Sequence, residues 1–555
     1  MMILSGAMVS SVCSQALPDS IKTKIDSLYA NWTNRITPGC TIGIVMNDSL
    51  VYSKGYGLAN LEYSIPNTPA TIYHMASVYK QFTAWAIIML ARQGRLHLND
   101  DVHKYLAWLP NFKQKITVQH LLNHTSGIRD QWQLLAISGT RLDDVITQEH
   151  IAKILSKQKD LNFNPGEKYS YSNSGYTMLA EIVRSVTGQS LRQFTDSTIF
   201  KPLGMSNTHF HDDYAEIERN RSYSYDRLDS AHFKNSILSY SNAGATSLFT
   251  NIKDMSKWVM NFWTHRVGDQ QMIDSLIKKG KLNDGKEISY ANGISISTYR
   301  GYKQYSHSGG DAGYRTYVTV LPDLKMGFMV FSNLGDFNPN EMADKMMGLL
   351  ILDTTQKTGA VTTVIADSAA TILKDSVRMK KYLGDYIGEE GLPFNFNIQD
   401  SKLYYHIYGE SNALAIDSAG NFNIKDNPGI KFIFSTNAKD TVVDIKTPDE
   451  IYHLVKYTKQ GSQSDKLLQT YTGTYYCSEL DCTYNIILKD HQLLLTNNKY
   501  NDSKVTLVNS EHLTTDHWWI NHVKMVRDNK SQVIGFEVNS GRIMHLRFVK
   551  LAVTK

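Results

Sequence analysis

Ser77 and Lys80 stand three residues apart in Ala76-Ser77-Val78-Tyr79-Lys80. At the start of a helix that spacing puts both side chains on one face. A serine hydroxyl is a weak nucleophile at neutral pH, and a lysine becomes its base where neighbours and burial lower the ammonium pKa from about 10.4. The pair alone is a common coincidence, so the chemistry has to be argued from its partners. Tyr171-Ser172-Asn173 supplies a tyrosine and an asparagine two apart in a loop. Tyr171 is a candidate base if Lys80 lowers its pKa, and Asn173 can hydrogen-bond a substrate amide. His307-Ser308-Gly309-Gly310 adds glycines that let a backbone approach a ligand closely, and the amide of Gly310 facing that of Ser77 would form an oxyanion hole. Taken singly, Tyr171 reads as a packed turn residue and His307 as an ordinary strand histidine.

The elements that must position these groups follow from pattern. Phe82 to Ala91 is apolar nearly all round and stops at Gly94, which reads as a buried helix whose N-terminal dipole lies beside Ser77. Residues 41–46 and 50–53 read as a hairpin turning at Asn47-Asp48, and 314–321 and 326–331 as strands joined through Pro322-Asp323. Helical patterns fall near 118–122 and 176–186. An α+β domain is expected, its antiparallel sheet drawn from both ends of the segment and flanked by helices inserted between.

Beyond about residue 350 the chain changes character. Residues 356–376 read as a linker rich in threonine, alanine and serine. Then Tyr382-Leu383-Gly384-Asp385-Tyr386 recurs as Tyr471-Thr472-Gly473-Thr474-Tyr475, Asp400 to Leu403 parallels Asp490 to Leu493, and Ile451 to Leu454 parallels Ile543 to Leu546. Two copies predict two small antiparallel β-barrels, 377–458 (lipocalin-like) and 468–555, after a first domain over 17–355. His453 and His545, at equivalent positions of the repeat, read as structural.

The composition is that of an ordinary globular protein: 42% hydrophobic, 20% charged, formal net charge +5 over 555 residues. No basic stretch suggests nucleic acid, and the apolar run after Lys80 is too short to span a membrane. Residues 1–16 are uncharged and end in Ser14-Gln15-Ala16, which reads as a signal peptide lacking its usual basic start. A periplasmic or secreted protein is expected, with lipidation at Cys13 disfavoured by the bulk of Val12. In an oxidising compartment Cys477 and Cys482 could close a hairpin loop as a disulfide, while Cys40 reads as a small buried hydrophobe. No metal or other cofactor is expected. His120 and His124 sit at helical spacing in a stretch with a structural reading, and His209-Phe210-His211-Asp212-Asp213 is followed by Tyr214 where a metallo-hydrolase motif wants histidine.

Together, in this order and spacing, the three pieces resemble the serine β-lactamase and penicillin-binding protein superfamily, in the branch with class C β-lactamases, esterases and D-stereospecific aminopeptidases. Leu121 to Gly127, Pro202-Leu203-Gly204-Met205 and Ala243-Gly244-Ala245 look like further landmarks of that family. The resemblance covers about residues 20–350. It implies Ser77 as acylated nucleophile, Lys80 and Tyr171 as proton-transfer partners, Asn173 as a substrate-binding residue, and His307, Gly309 and Gly310 as the strand edge and oxyanion side of the cleft. Where many members carry Lys-Thr-Gly, this chain has His307-Ser308-Gly309, replacing a fixed cation with a group neutral much of the time. That departure favours a D-aminopeptidase or esterase acting on a small molecule or peptide over a β-lactamase or carboxypeptidase. A peptide-binding or sensor protein without turnover is the alternative of another class; the oligomeric state has no sequence signal.

Overall fold

The apolar runs at the two ends of the first 350 residues meet in one sheet. The computed structural model describes residues 17–33, 36–352, 379–388, 391, 393–407, 410–416, 421–424, 427–436, 441–447, 451–458 and 463–552. The leader read at 1–16 and the linker read at 356–376 lie outside the described residues.

Of the elements that build the first domain, those used below are α1 (Asp19–Leu28), β1 (Cys40–Met46), β2 (Ser49–Tyr56), β3 (Tyr73–His74), α2 (Lys80–Arg92), α3 (Val118–Leu122), α4 (Gln131–Ser138) and α5 (Asn173–Thr187). They continue with β4 (His209–Phe210), β5 (Leu248–Thr250), α6 (Ile252–Thr264), β6 (Ser295–Tyr299), β7 (Tyr302–Asp311), β8 (Tyr314–Leu321), β9 (Met326–Ser332) and α7 (Pro339–Leu350). The sheet runs β6-β7-β8-β9-β1-β2 and every neighbouring pair is antiparallel. The expected hairpin, helices and closing strands all form, and the N-terminal hairpin docks on β9, the last strand to be made.

One sheet face packs on α1 and α7 through Ile25, Tyr29, Ile42, Met346 and Met347, all buried. The other packs on the helical layer around α2. That helix is buried from Lys80 through Ile88, as its all-round apolar sequence requires, and Trp85 meets Trp258 of α6 edge-on with ring centroids 5.2 Å apart.

Two closed antiparallel barrels of eight strands follow, the first within 384–457 and the second within 473–550. The sequence repeat has a structural cause. The Tyr386 hydroxyl donates to the carbonyl of Tyr382 at 3.0 Å, and the Tyr475 hydroxyl to that of Tyr471 at 2.5 Å, so the same tyrosine pins the entry to each barrel. Asp400 and Asp490 both take positive φ, 47° and 51°, in equivalent hairpin turns.

The two copies differ in what they bury. The first barrel has its own core around Tyr386, Phe396 and Val443. Apolar residues of the second join the helical core of the first domain in one cluster. The junction is polar at its centre. Arg129, 1% exposed, donates to Glu479 at 2.7 Å, to Gln158 at 3.0 Å and to the carbonyls of Met544 and His545 at 3.0 Å. Gln133 donates to the carbonyls of Trp519 and Ser540, and the Tyr484 hydroxyl to that of Ile137.

Cys477 and Cys482, expected to form a disulfide, are unbonded in this structure. The two residues are direct cross-strand partners, yet both are free thiols. The Cys482 thiol turns instead to the carbonyl of Ile137, with Sγ 3.6 Å from the oxygen. Burial pushes the Cys477 thiol up to about 11 and raises that of Cys482 as well. The hairpin is held by its ladder and by the Arg129–Glu479 pair, so a covalent link adds little. Cys40 is the buried hydrophobe expected.

Removing the Arg129 side chain strands a buried Glu479 carboxylate, whose side chain is 5% exposed. Arg129→Ala is therefore expected to cost about 3–5 kcal/mol. A urea midpoint close to that of the native protein would contradict this.

Candidate active site

The turn that carries Ser77 is held from three sides. β3 delivers the chain to Met75, whose N–H donates to Leu248 of β5 at 2.8 Å and whose carbonyl accepts from the Thr316 hydroxyl of β8 at 2.8 Å. Ala76 then takes φ 45°, a left-handed conformation that costs an alanine energy and persists only where its surroundings hold it. Ser77 sits in the short 3-10 turn Ala76–Tyr79, and Lys80 opens α2. β7 presses against this turn at Gly309, where an added Cβ would lie 2.5 Å from the Met75 carbonyl oxygen and 2.9 Å from the Ala76 Cβ. Only glycine lets sheet and nucleophile turn come so close.

The Lys80 amine is fully enclosed. Its Nζ lies 3.0 Å from Ser77 Oγ, 2.9 Å from the Tyr79 hydroxyl and 3.0 Å from Asn173 Oδ1. Burial drives its pKa well below the usual lysine value; the Asp130 carboxylate partly opposes this and the Arg542 cation adds to it. A neutral amine here has two N–H bonds for Tyr79 and Asn173 and a lone pair aimed at the Ser77 proton. This is an arrangement for activating a hydroxyl.

Asn173, the first residue of α5, is in turn oriented by Asp130, whose Oδ2 accepts from its backbone N–H and its side-chain amide, both at 2.8 Å. The other Asp130 oxygen caps α4 by accepting from Trp132 N at 3.0 Å. Thus the Asn173 carbonyl serves Lys80, and one amide hydrogen remains for a ligand. Asp130 was not singled out from sequence. An acid just before the apolar run of α4 is an N-cap signal, but nothing local links it to a residue 43 positions away.

Tyr171 lies beside the pair, its ring centroid 4.8 Å from Lys80 Nζ and 4.1 Å from the His124 ring. Its hydroxyl borders Ser77 but closes no hydrogen bond of normal geometry. Burial pushes the phenol up, with the Ser77 hydroxyl opposing weakly. This direction runs against the expectation that Lys80 lowers the phenol toward a tyrosinate.

His307 also departs from expectation. Its Nδ1 donates to the carbonyl of Ser308 at 2.6 Å, so Nε2 is left to accept from the Tyr290 hydroxyl at 2.9 Å. Burial lowers its pKa to about 3. Both nitrogens have protein partners, and the ring lies at the cavity edge with its centroid 6.4 Å from that of Tyr171.

β6 pairs with β7 only as far as Ser306, leaving the edge from His307 to Asp311 without a strand on that side. That edge borders a cavity of about 960 Å³ lined by Ser77, Tyr171, Asn173 and Gly310. Its other wall was not foreseen: Tyr452 comes from the first barrel, and Trp518, Gly541, Arg542, Met544 and His545 from the second. His545, read from sequence as structural, is one of these wall residues. It lies in the cavity wall with φ 59°, whereas its repeat partner His453 pairs with Asp444 on an exposed surface.

The metal-like patterns are used locally. Nδ1 of His120 accepts from Thr117 N at 3.2 Å in a capping box, and Nδ1 of His124 accepts from Ser172 N at 3.1 Å. His209 and His211 do converge with Glu216, their donor atoms all within 4.8 Å of one another. Glu216 there is already clasped by both guanidinium nitrogens of Arg192, at 2.6 and 2.8 Å, so that corner holds its own cation.

Comparison with known proteins agrees with this geometry. The family model described as Beta-lactamase matches residues 26–352. Penicillin-binding protein 4* of Bacillus subtilis (strain 168) is 26% identical over 383 residues, covering 65% of this chain and 82% of that protein. A D-aminopeptidase of Brucella anthropi is 24% identical over 456 residues, covering 80% of each chain. Among solved structures, the octameric penicillin-binding protein homologue from Pyrococcus abyssi superposes with a TM-score of 0.55 at 25% identity, over 79% of this chain and 99% of that one.

Two outcomes follow from the geometry. Gly309→Ala is expected to displace the Ser77 turn and slow labelling by a fluorophosphonate at least about tenfold, with the far-UV CD spectrum unchanged. Second, His307, His211 and His522 are buried with pKa values lowered to about 3, 4 and 4, against about 6.5 unfolded. Between those values the unfolded chain binds protons that the folded chain does not, so stability falls as pH drops from 6.5 toward 4. Urea midpoints that stay level between pH 7 and 5 would contradict it.

Proposed function

The chain belongs to the beta-lactamase family and is a serine hydrolase, and from that premise we propose that it cleaves an amide or ester through an acyl-enzyme on Ser77, as a D-aminopeptidase or esterase does. The observation that carries this reading is the enclosed Lys80 amine, 3.0 Å from Ser77 Oγ, with its pKa driven down by burial. Lys80 takes the hydroxyl proton as Oγ attacks the substrate carbonyl. The oxyanion is met by the backbone N–H groups of Ser77 and Gly310. Tyr171, a neutral phenol in contact with this pair, gives a proton to the departing amine or alkoxide and is reprotonated from Lys80. Water then releases the acyl group by the same steps in reverse.

Two features favour the aminopeptidase or esterase branch over a β-lactamase or carboxypeptidase. The neutral His307 supplies no charge for a carboxylate at the strand edge. The D-aminopeptidase similarity extends past the first domain, over 80% of each chain. Export is part of the proposal and rests on the apolar, uncharged residues 1–16. No helix among the described residues is long and apolar enough to cross a membrane.

Lys80→Ala and Tyr171→Phe are each expected to lower the acylation rate at least about a hundredfold, the scale of positioned acid–base catalysis. Stopped-flow acylation with a p-nitrophenyl ester and a D-aminoacyl anilide measures it, and a variant with near-native rates on both would lose its assigned role. In the native protein kcat/KM should fall on the acid side of a pKa well below that of free lysine, because only the neutral amine accepts the proton. An acid limb lying near 10 would show that Lys80 is not the base.

A further inference from the structure

We propose that Arg542, carried into the catalytic cavity by the second barrel, anchors a carboxylate of the substrate; this rests on the reading of Ser77 as the acylated nucleophile. Arg542 follows Gly541 in the tight turn between the barrel strands Val533–Ser540 and Ile543–Lys550. The turn is bolted to the first domain through backbone atoms. Arg542 N donates to Gln133 at 2.9 Å, its carbonyl accepts from Asn162 at 2.8 Å, and Met544 N donates back to Asn162 at 2.8 Å. The backbone is therefore fixed without using the side chain.

The guanidinium sits 4.9 Å from the Tyr171 ring centroid and 3.7 Å from Asp130 Oδ2, with its side chain 48% exposed. Asp130 is a poor partner for it, since its two oxygens already accept three N–H bonds from Trp132 and Asn173. Among the described residues the Arg542 guanidinium makes no hydrogen bond, so its planar fork of donors is free to meet an anion. Asp311 accepts from the Thr246 hydroxyl at 2.8 Å and meets His74 at 3.2 Å, and Lys80 is enclosed. Lys168 also lines the cavity and is exposed, but only Arg542 presents a planar guanidinium fork beside the Tyr171 ring.

The Tyr171 ring lies 4.8 Å from Lys80 Nζ and 4.9 Å from the Arg542 guanidinium, so the two groups stand within about 10 Å, a span of up to about three residues of extended chain. A permanent cation is thus present near the nucleophile, delivered from a domain some 230 residues beyond the His307 position that lacks one. Guanidinium is matched to carboxylate geometry and is always charged.

Two matched substrate pairs test this, one for each side of the scissile bond: a D-alanyl thioglycolate against its methyl ester, and a succinyl-D-alanyl p-nitroanilide against its methyl-succinyl analogue. The quantity read is the ratio of kcat/KM for the carboxylate member to that for the neutral one. Arg542→Ala is expected to lower that ratio tenfold to a hundredfold in at least one pair, the effect of a lost charge-assisted hydrogen bond. Arg542→Lys should restore it in part, and Arg542→Glu should lower it further. A change smaller than tenfold in both pairs, or native turnover confined to the neutral members, overturns the proposal. A native protein whose Ser77 takes no fluorophosphonate label would instead remove the premise. Unchanged urea midpoints verify that the backbone anchorage survives each substitution.

Discussion

The enclosure of one amine is the constraint on which the rest of the structure depends. A lysine ammonium withdrawn from water without a counter-charge in contact is costly, and the group yields by losing its proton. The surroundings of Lys80 are composed to that end: a tyrosine hydroxyl, an asparagine carbonyl and a serine hydroxyl, none of them charged. Asp130 acts one bond further out, orienting Asn173 without touching the amine, and so fixes geometry while adding only a distant pull toward the ammonium. A carboxylate moved into direct contact would hold the proton on Lys80 and remove the base.

Such an arrangement demands a rigid frame, because the start of a helix frays unless something holds it. Here the frame is the sheet. Thr316 on β8 grips the Met75 carbonyl, Gly309 on β7 makes room for the turn, and Ala76 accepts a left-handed backbone between them. The aromatic stack of His124, Tyr171 and Tyr290, with His307 wedged behind it, fills the remaining side. A ring that packs this way is more useful neutral than charged, which accounts for a histidine pushed to about 3 in a serine hydrolase.

The two barrels show how one repeat can take two roles. Both keep the tyrosine that pins the chain at the barrel entry. Among the described residues only the second merges its core with the helical layer and sinks an arginine–glutamate pair into the junction. Its turn at Gly541-Arg542 then becomes a wall of the cavity. A buried ion pair is a poor source of net stability but a strict condition on register, since any other docking would leave Arg129 or Glu479 unpaired.

The sequence by itself singled out Ser77 and Lys80 as the candidate nucleophile and base, and it determined the order of strands and helices, the antiparallel sheet and the presence of two barrels. Those features are written in local periods, turn residues and short motifs: an all-round apolar helix after Ser77, a hairpin at Asn47-Asp48, a tyrosine-rich segment used twice. The burial of Tyr171 and His307, which moves their pKa values, and the surroundings of Cys477 and Cys482 were decided only by the fold, because each depends on desolvation and on partners far away in the chain. Asp130 as the orienter of Asn173, and Arg542 and His545 as cavity residues, belong to the same class: a single acid, arginine or histidine carries no period. Spacing along the chain states which groups can share a helix face or a strand edge. Which of them lose their water, and to whom they then turn, is settled when distant segments close over the same cavity.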